Sequence, residues 1–521
     1  MKSLFSVGPL SALFVTALCN LCTVMACDAW GTDDEDVLDP DGNTNDAGSN
    51  GENHGDAGFD YAKVRTTLNL AGAARMLAHG DFNNDGFADV IVGDNGACFQ
   101  SSPLYLLTGS GDGTFEDQTD DLVSGDTSVD VPFAVSADFN QDGKPDVAVF
   151  DAGCKEVRGN VGTYLGGSPI LLLSNSSGLL EVSSNLADAI LAYNEGKTDE
   201  APQWPYSGSN LHIKHVVDVD IDQDGDTDIF VESTGGENIT SHFYMNQGDG
   251  TFEVDYENRL PMDAHTNTFT DPAHFWRHQP SVFVDLNGDD ALDLVMGQLR
   301  DPDPTHIDQS SLVLFGDSQG YFSIENRLLL PLPDYNLGYT AVSALVVGDV
   351  NNDGLGDILL AHTRNDGVDT SLPEVGAPFT GRYIQVLVNQ GAGGTFVDET
   401  ADRMGDQATT AAEVMGNAPG QMVLHDVDGD GNDDLITALS GSISDASPLL
   451  YLNDGAGQFT VPDQMVLTDG DAYYGENSIA LDLNNDGRLD FTGTDSSPGP
   501  DGEYGTVDDV FNLDTLLSKE P

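Results

Sequence analysis

Asp81-Phe-Asn-Asn-Asp-Gly-Phe-Ala-Asp89 decides the fold, because the chain writes this nine-residue pattern, D-x-[DN]-x-D-G-x-x-D, seven times. The other copies run Asp138 to Asp146, Asp220 to Asp228, Asp285 to Asp293, Asp349 to Asp357, Asp426 to Asp434 and Asp482 to Asp490, with starts 57, 82, 65, 64, 77 and 56 residues apart. Positions 1, 3, 5 and 9 supply only oxygen donors. They are Asp81, Asn83, Asp85 and Asp89; Asp138, Asn140, Asp142 and Asp146; Asp220, Asp222, Asp224 and Asp228; Asp285, Asn287, Asp289 and Asp293. The last three sets are Asp349, Asn351, Asp353 and Asp357; Asp426, Asp428, Asp430 and Asp434; Asp482, Asn484, Asp486 and Asp490. An all-oxygen set suits a hard cation such as Ca2+, and up to seven ions are expected.

The remaining positions divide into turn and packing. Position 6 is Gly in six copies, as a sharp turn with positive φ requires, and Asp290 in the fourth, which makes that site the doubtful one. Position 7 varies freely (Phe87, Lys144, Asp226, Ala291, Leu355, Asn432, Arg488), as expected of a residue that coordinates through its backbone carbonyl. Positions 2 and 10 are apolar in every copy, so each loop is anchored in a core on both sides. An EF-hand would need Glu at position 12 and flanking helices; position 12 here is Val92, Val149, Val231, Met296, Leu360, Thr437 and Gly493, and the flanks are short and β-rich. The loop therefore joins two strands.

Most copies are followed by an apolar strand, a Gly-rich turn and an aromatic, as in His242 to Phe252, which is a hairpin signal. Each unit then reads as four strands, a propeller blade. These residues resemble the FG-GAP/VCBS repeats of integrin-α-like heads and of bacterial exported proteins, over roughly residues 60 to 515. The resemblance implies an all-β, seven-bladed β-propeller with four-stranded antiparallel blades and a calcium loop between the first and second strand of each. It further implies calcium on the lower face and ligand binding above. The seventh unit lacks the hairpin after Asp490, so the segment Tyr61 to Leu70 is expected to close the ring as its outer strand.

The 521 residues include 88 Asp plus Glu against 18 Lys plus Arg, a formal net charge of −70. Such a surface repels nucleic acid and anionic lipid heads. Residues 1–27 read as a signal peptide: Lys2, an apolar run from Leu4 to Ala26, and Val24-Met-Ala-Cys27, which resembles a bacterial lipobox and makes Cys27 the lipidation candidate. The expected address is the bacterial cell envelope, with membrane contact through the lipid anchor only; plain secretion and an uncleaved transmembrane helix are the alternatives. Residues 28–58 form an acidic tether with an end-to-end distance of roughly 30 Å. Residues 59–515 are the propeller and 516–521 a tail.

Cys98 and Cys154 remain for the folded part, and export suggests one disulfide between them. The scarce aromatic and basic residues fall in the long connections, giving a candidate ligand face of Trp204, His265, His274, Trp276, Arg277 and His278. Aromatics beside Arg and His suit stacking on sugars or holding a carboxylate, and equally suit plugging loops against a core. No nucleophile elbow, Walker loop, dinucleotide fingerprint or zincin motif is present. The leading expectation is a monomeric recognition or adhesion module for a protein or carbohydrate ligand. A polysaccharide lyase or dehydratase on the same scaffold and a purely structural envelope protein are the alternatives.

Overall fold

The computed structural model describes residues 61–68, 74–94, 102–130, 132–152, 154–158, 161–165, 167–195, 213–233, 241–255, 258–260, 278–298, 310–333, 340–364, 383–391, 394–405, 419–439, 449–460, 478–497 and 510–518. Short strands rich in Val, Ile, Leu and Phe alternate with turns carrying Asp and Gly, and they assemble into successive antiparallel sheets. Sheet one holds Ala74–Gly80, Asp89–Asp94, Tyr105–Gly109 and Phe115–Asp117 in hydrogen-bonded order. Sheet three (Ile213–Val219, Asp228–Ser233, His242–Asn246, Phe252–Asp255) and sheet four (His278–Val284, Asp293–Gln298, Leu312–Gly316, Phe322–Leu329) repeat that order. So do sheet five (Thr340–Gly348, Asp357–Arg364, Tyr383–Asn389, Phe396–Asp398) and sheet six (Pro419–His425, Asp434–Leu439, Leu449–Asn453, Phe459–Thr460).

Two sheets depart from this plan. Sheet two (Pro132–Ala137, Asp146–Asp151, Ile170–Ser174, Leu180–Ser183) gains a fifth strand, Val123–Ser124, which pairs parallel to Leu180 and Glu181. The chain delivers it on leaving sheet one, through the one-turn helix Thr119–Leu122. The long connection after Asp151 contains its own hairpin, Cys154–Arg158 paired with Val161–Leu165, which the sequence reading did not separate from irregular loop. In sheet seven the order is Ser478–Leu481, Asp490–Ser497, Val510–Ser518 and then Tyr61–Leu68. The N-terminal strand pairs antiparallel with the C-terminal one from Tyr61↔Ser518 to Leu68↔Phe511. The last strand thus runs past the boundary expected at residue 515, because Leu516 and Leu517 continue its apolar pattern.

Burial explains why the sheets stack in sequence order. Seven apolar clusters lie between consecutive sheets, and one of them joins the seventh back to the first through Leu483 and Leu513 against Met76, Val92 and Phe115. The repeat itself encodes this succession. Position 2 of each copy (Phe82, Phe139, Ile221, Leu286, Val350, Val427, Leu483) packs toward the following sheet. Position 10 (Val90, Val147, Ile229, Leu294, Ile358, Leu435, Phe491) packs toward the preceding one. The nine-residue repeat and the residue after it therefore carry one contact forward and one back.

Among the described residues no helix is long and apolar enough to cross a membrane, a statement that does not concern β-barrels. Cys27, Cys98, Trp204, His265, His274, Trp276 and Arg277 lie outside the described residues, as do residues 1–58. Cys154 and His278 are the first residues of strands.

Phe139 is fully buried and meets Phe252 of the next sheet edge-on at 5.7 Å. Phe139→Ala is expected to cost about 3–5 kcal/mol in denaturant unfolding. A loss under about 1 kcal/mol would mean that sheets two and three are not packed as described.

Candidate metal centres

All seven acidic loops join the first strand of a sheet to its second, and one hydrogen-bond scheme recurs in each. The position 1 carboxylate accepts from the backbone N–H groups of positions 5 and 6, as Asp81 does from Asp85 and Gly86 at 2.9 Å each and Asp482 from Asp486 and Gly487 at 3.1 and 2.8 Å. The same pair of contacts forms at Asp138, Asp220, Asp285, Asp349 and Asp426. Position 5 accepts from the N–H of position 7 in every loop. That contact points the position 7 peptide along the loop.

Position 9 does something else. Asp89, Asp146, Asp228, Asp293, Asp357, Asp434 and Asp490 are at most 1 % exposed. One oxygen of each accepts from the N–H of position 2 in its own loop. The other accepts from a backbone N–H of the sheet's third strand, at Gly109, Ser174, Asn246, Gly316, Asn389, Asn453 and Ser518. This carboxylate ties three strands together.

Where the third-strand residue is Asn, its side chain also reaches between sheets. Asn246, Asn389 and Asn453 donate to the carbonyls of Phe139, Leu286 and Val350 in the preceding sheet, at 2.8, 3.1 and 2.8 Å. Where it is Gly109 or Gly316, a Cβ would meet a carbonyl oxygen at 2.2 Å, so only glycine fits.

Positive φ occurs at two positions of every loop. Position 6 lies at φ +83° to +96° in its six glycines, with open space where a Cβ would stand, so conformation and not room selects Gly. Asp290 adopts φ +66° there, and the fourth loop carries its glycine two residues earlier, Gly288 at φ +75°. Elsewhere position 4 is mostly Asn or Gln: Asn84, Gln141, Gln223, Asn352 and Asn485 at φ +57° to +60°. The sequence pattern treated position 4 as free. Asn in three copies and Gly in two were the available signal, which Gln141 and Gln223 obscure.

These position 4 amides also link neighbouring loops. Gln141 donates to Asp226, Gln223 to the Asp290 carbonyl, Asn352 to Asn432 Oδ1 at 2.8 Å and Asn485 to the Gly86 carbonyl at 2.5 Å. Loops two and three, three and four, five and six, and seven and one thus lie side by side.

The donor chemistry fits a hard cation. Two triads bring carboxylate oxygens within 4.8 Å of one another, Asp220 with Asp222 and Asp224, and Asp426 with Asp428 and Asp434. They belong to the two copies with Asp, not Asn, at position 3. In the fourth loop Asn287 Oδ1 is enclosed and accepts no hydrogen bond among the described residues. Burial raises the position 9 carboxylates to about 6 (Asp89, Asp146, Asp293, Asp357, Asp434) or about 7 (Asp228), although backbone donors pull them down.

The FG-GAP-like repeat family matches residues 81–149, 220–296 and 426–491, which contain six of the seven loops. The chain carries FG-GAP-like repeats. The copy at Asp349 to Asp357 lies outside the matched segments yet has the same hydrogen bonds as its neighbours. No curated protein sequence matches the chain. Among solved structures, an Agrocybe aegerita lectin described as recognising non-reducing terminal N-acetylglucosamine is similar at 16% identity and TM-score 0.45, covering 75% of this chain and 79% of its own. A PL25 polysaccharide lyase, an ulvan lyase, is similar at 11% identity and TM-score 0.37, over 76% of this chain and 86% of the lyase. The Dos1 propeller is similar at 10% identity and TM-score 0.34, over 76% and 73%.

Without bound cations, the position 9 residues have folded pKa values above their unfolded value of about 3.9. Their contribution therefore favours the fold below about pH 4 and is lost as pH rises through 6 to 7. In chelator, the melting temperature is expected to rise when pH falls from 7.5 to 5.5. A melt that drops over that window would show that burial does not raise the pKa values of these carboxylates.

Proposed function

We propose that this chain is a calcium-stabilised, exported seven-bladed β-propeller that recognises a carbohydrate or protein surface at the end of its sheets away from the acidic loops. The blade reading is supported by seven repeated loop–strand units whose apolar clusters follow one another and return to the first. The calcium reading is supported by the shared donor geometry and by Asn287 Oδ1. The Ala26-Cys27 boundary supports a lipid-anchored protein of the bacterial envelope, with residues 28–58 as its tether.

The observation that carries the recognition reading is the polarity of strand ends far from the loops, where an interior would otherwise be apolar. Glu232 is fully buried and accepts from Ser281 Oγ of the next sheet at 2.7 Å, with His215 Nδ1 3.9 Å from its other oxygen. Asp151 accepts from the Gly167 N–H at 3.1 Å, His362 Nε2 meets Gln385 Oε1 at 3.0 Å, and Gln298 is 2 % exposed. Buried polar groups that find hydrogen-bond partners make these strand ends rigid, so whatever surface they carry is held in one shape. The connections bearing Trp204, Trp276 and Arg277 enter the strands that begin at Ile213 and His278, at the ends opposite the acidic loops.

Calcium at one hundred times its Kd adds about 2.7 kcal/mol per occupied site, so EGTA is expected to lower the melting temperature by about 10 °C or more. An unchanged melt would remove calcium from the account. Recognition is tested by a glycan screen in millimolar calcium with the wild type and Trp276→Ala. Binding by the wild type, weakened at least about tenfold in the variant at unchanged melting temperature, is the expected result. Binding that Trp276→Ala leaves intact would move the site elsewhere.

A further inference from the structure

Loop three is, with loop six, the most acidic of the seven: Asp220, Asp222, Asp224, Asp226 and Asp228 place five carboxylates in nine residues, against three in loop one. Three of them crowd within 4.8 Å. One of the chain's 18 basic side chains stands at this crowd. Arg259 follows the fourth strand of sheet three and is 8 % exposed. Its Nη2 donates to Asp222 Oδ2 at 2.8 Å, and its Nε lies 3.5 Å from Asp255 Oδ2. Nη1 donates to the Gln319 carbonyl in the hairpin of sheet four, and the guanidinium carbon lies 4.9 Å from the centre of the Tyr321 ring. The Arg259 carbonyl accepts from the Phe322 N–H at 2.8 Å. Backbone and side chain are thus held from both sheets.

We propose that Arg259 is the resident countercation of the third loop, neutralising Asp222 so that this loop keeps its shape without a dissociable ion. The proposal builds on the reading of the acidic loops as cation loops, and it sets loop three apart within it. A guanidinium is always protonated, forks toward carboxylates and cannot be chelated. Five of the seven loops have Asn at position 3, including loop one with Asn83, and place no charge there; loop three has Asp222 and supplies its own cation. Arg259 also joins the loop to the next sheet, a contact that a diffusible ion held by loop three alone would not make.

A purely packing role for Arg259 makes a different prediction, and Asp222→Asn separates the two. In EGTA, full-length Arg259→Met is expected to melt at least about 3 °C below wild type. Asp222→Asn/Arg259→Met is expected to recover at least half of that drop, because the orphaned charge is gone. Asp428→Asn, which removes the equivalent charge from loop six, is expected to shift the melt by the same amount in wild type as in Arg259→Met. An Arg259→Met melt equal to wild type, a double variant as low as Arg259→Met, or an Asp428→Asn shift that differs between wild type and Arg259→Met as that of Asp222→Asn does would each overturn the proposal. Should Arg259→Met fail to fold, folding of the Asp222→Asn double variant decides in favour and its failure decides against. Wild type whose melt ignores added calcium would sink the calcium reading while leaving the Asp222→Asn recovery to stand by itself.

Discussion

Each repeat unit hangs on a carboxylate that solvent does not reach. The position 9 aspartate receives a loop N–H on one oxygen and a third-strand N–H on the other, in all seven sheets. An ionised carboxylate buried without partners would cost several kcal/mol, and these donors offset much of that. An asparagine could not replace it, because its NH2 would face one of two donors. The first three strands of a sheet, the turn between two of them and the apolar contacts at positions 2 and 10 all take their placement from this one side chain.

The same accounting explains which positions of the repeat are strict. Position 1 uses both oxygens on the N–H groups of positions 5 and 6, so Asp is required. Position 3 accepts the position 5 N–H on Oδ1 in five loops, which leaves its second atom to side-chain partners. Asn serves there as well as Asp, and its Nδ2 can turn to the position 5 carboxylate, as Asn83 does to Asp85 at 2.9 Å. Hydrogen bonds therefore fix the Asp/Asn pattern before any cation is considered, while the density of charge is a separate matter.

Much of this was legible in the sequence. Seven copies with apolar positions 2 and 10 announced seven strand–loop–strand units, and the unpaired strand character of Tyr61 to Leu70 announced its partnership with the C-terminus. Tertiary facts were not legible. Nothing in the sequence near Asp222 points to Arg259, 37 residues on, because the pair forms only when sheet three is folded against sheet four. The left-handed position 4 escaped notice because Asn, Gln and Gly reach positive φ by different means and look unlike one another in a pattern search. The fifth strand of sheet two is two residues long and has no periodicity to detect.

Charge density completes the physical picture. Carboxylates gathered within 4.8 Å of one another repel, and a cation among them relieves that repulsion. Two solutions are open to a fold of this kind. A divalent ion serves any loop with the common donor set, at the price of depending on the medium. A tethered guanidinium serves only where a following connection can bring it to the loop, and sheet three has such a connection because Arg259 lies four residues after Asp255, the end of its last strand, within reach of both Asp222 and the next hairpin. The calcium proposal and the Arg259 proposal are thus two answers to one constraint: a loop built from aspartates to satisfy its own backbone must then find positive charge.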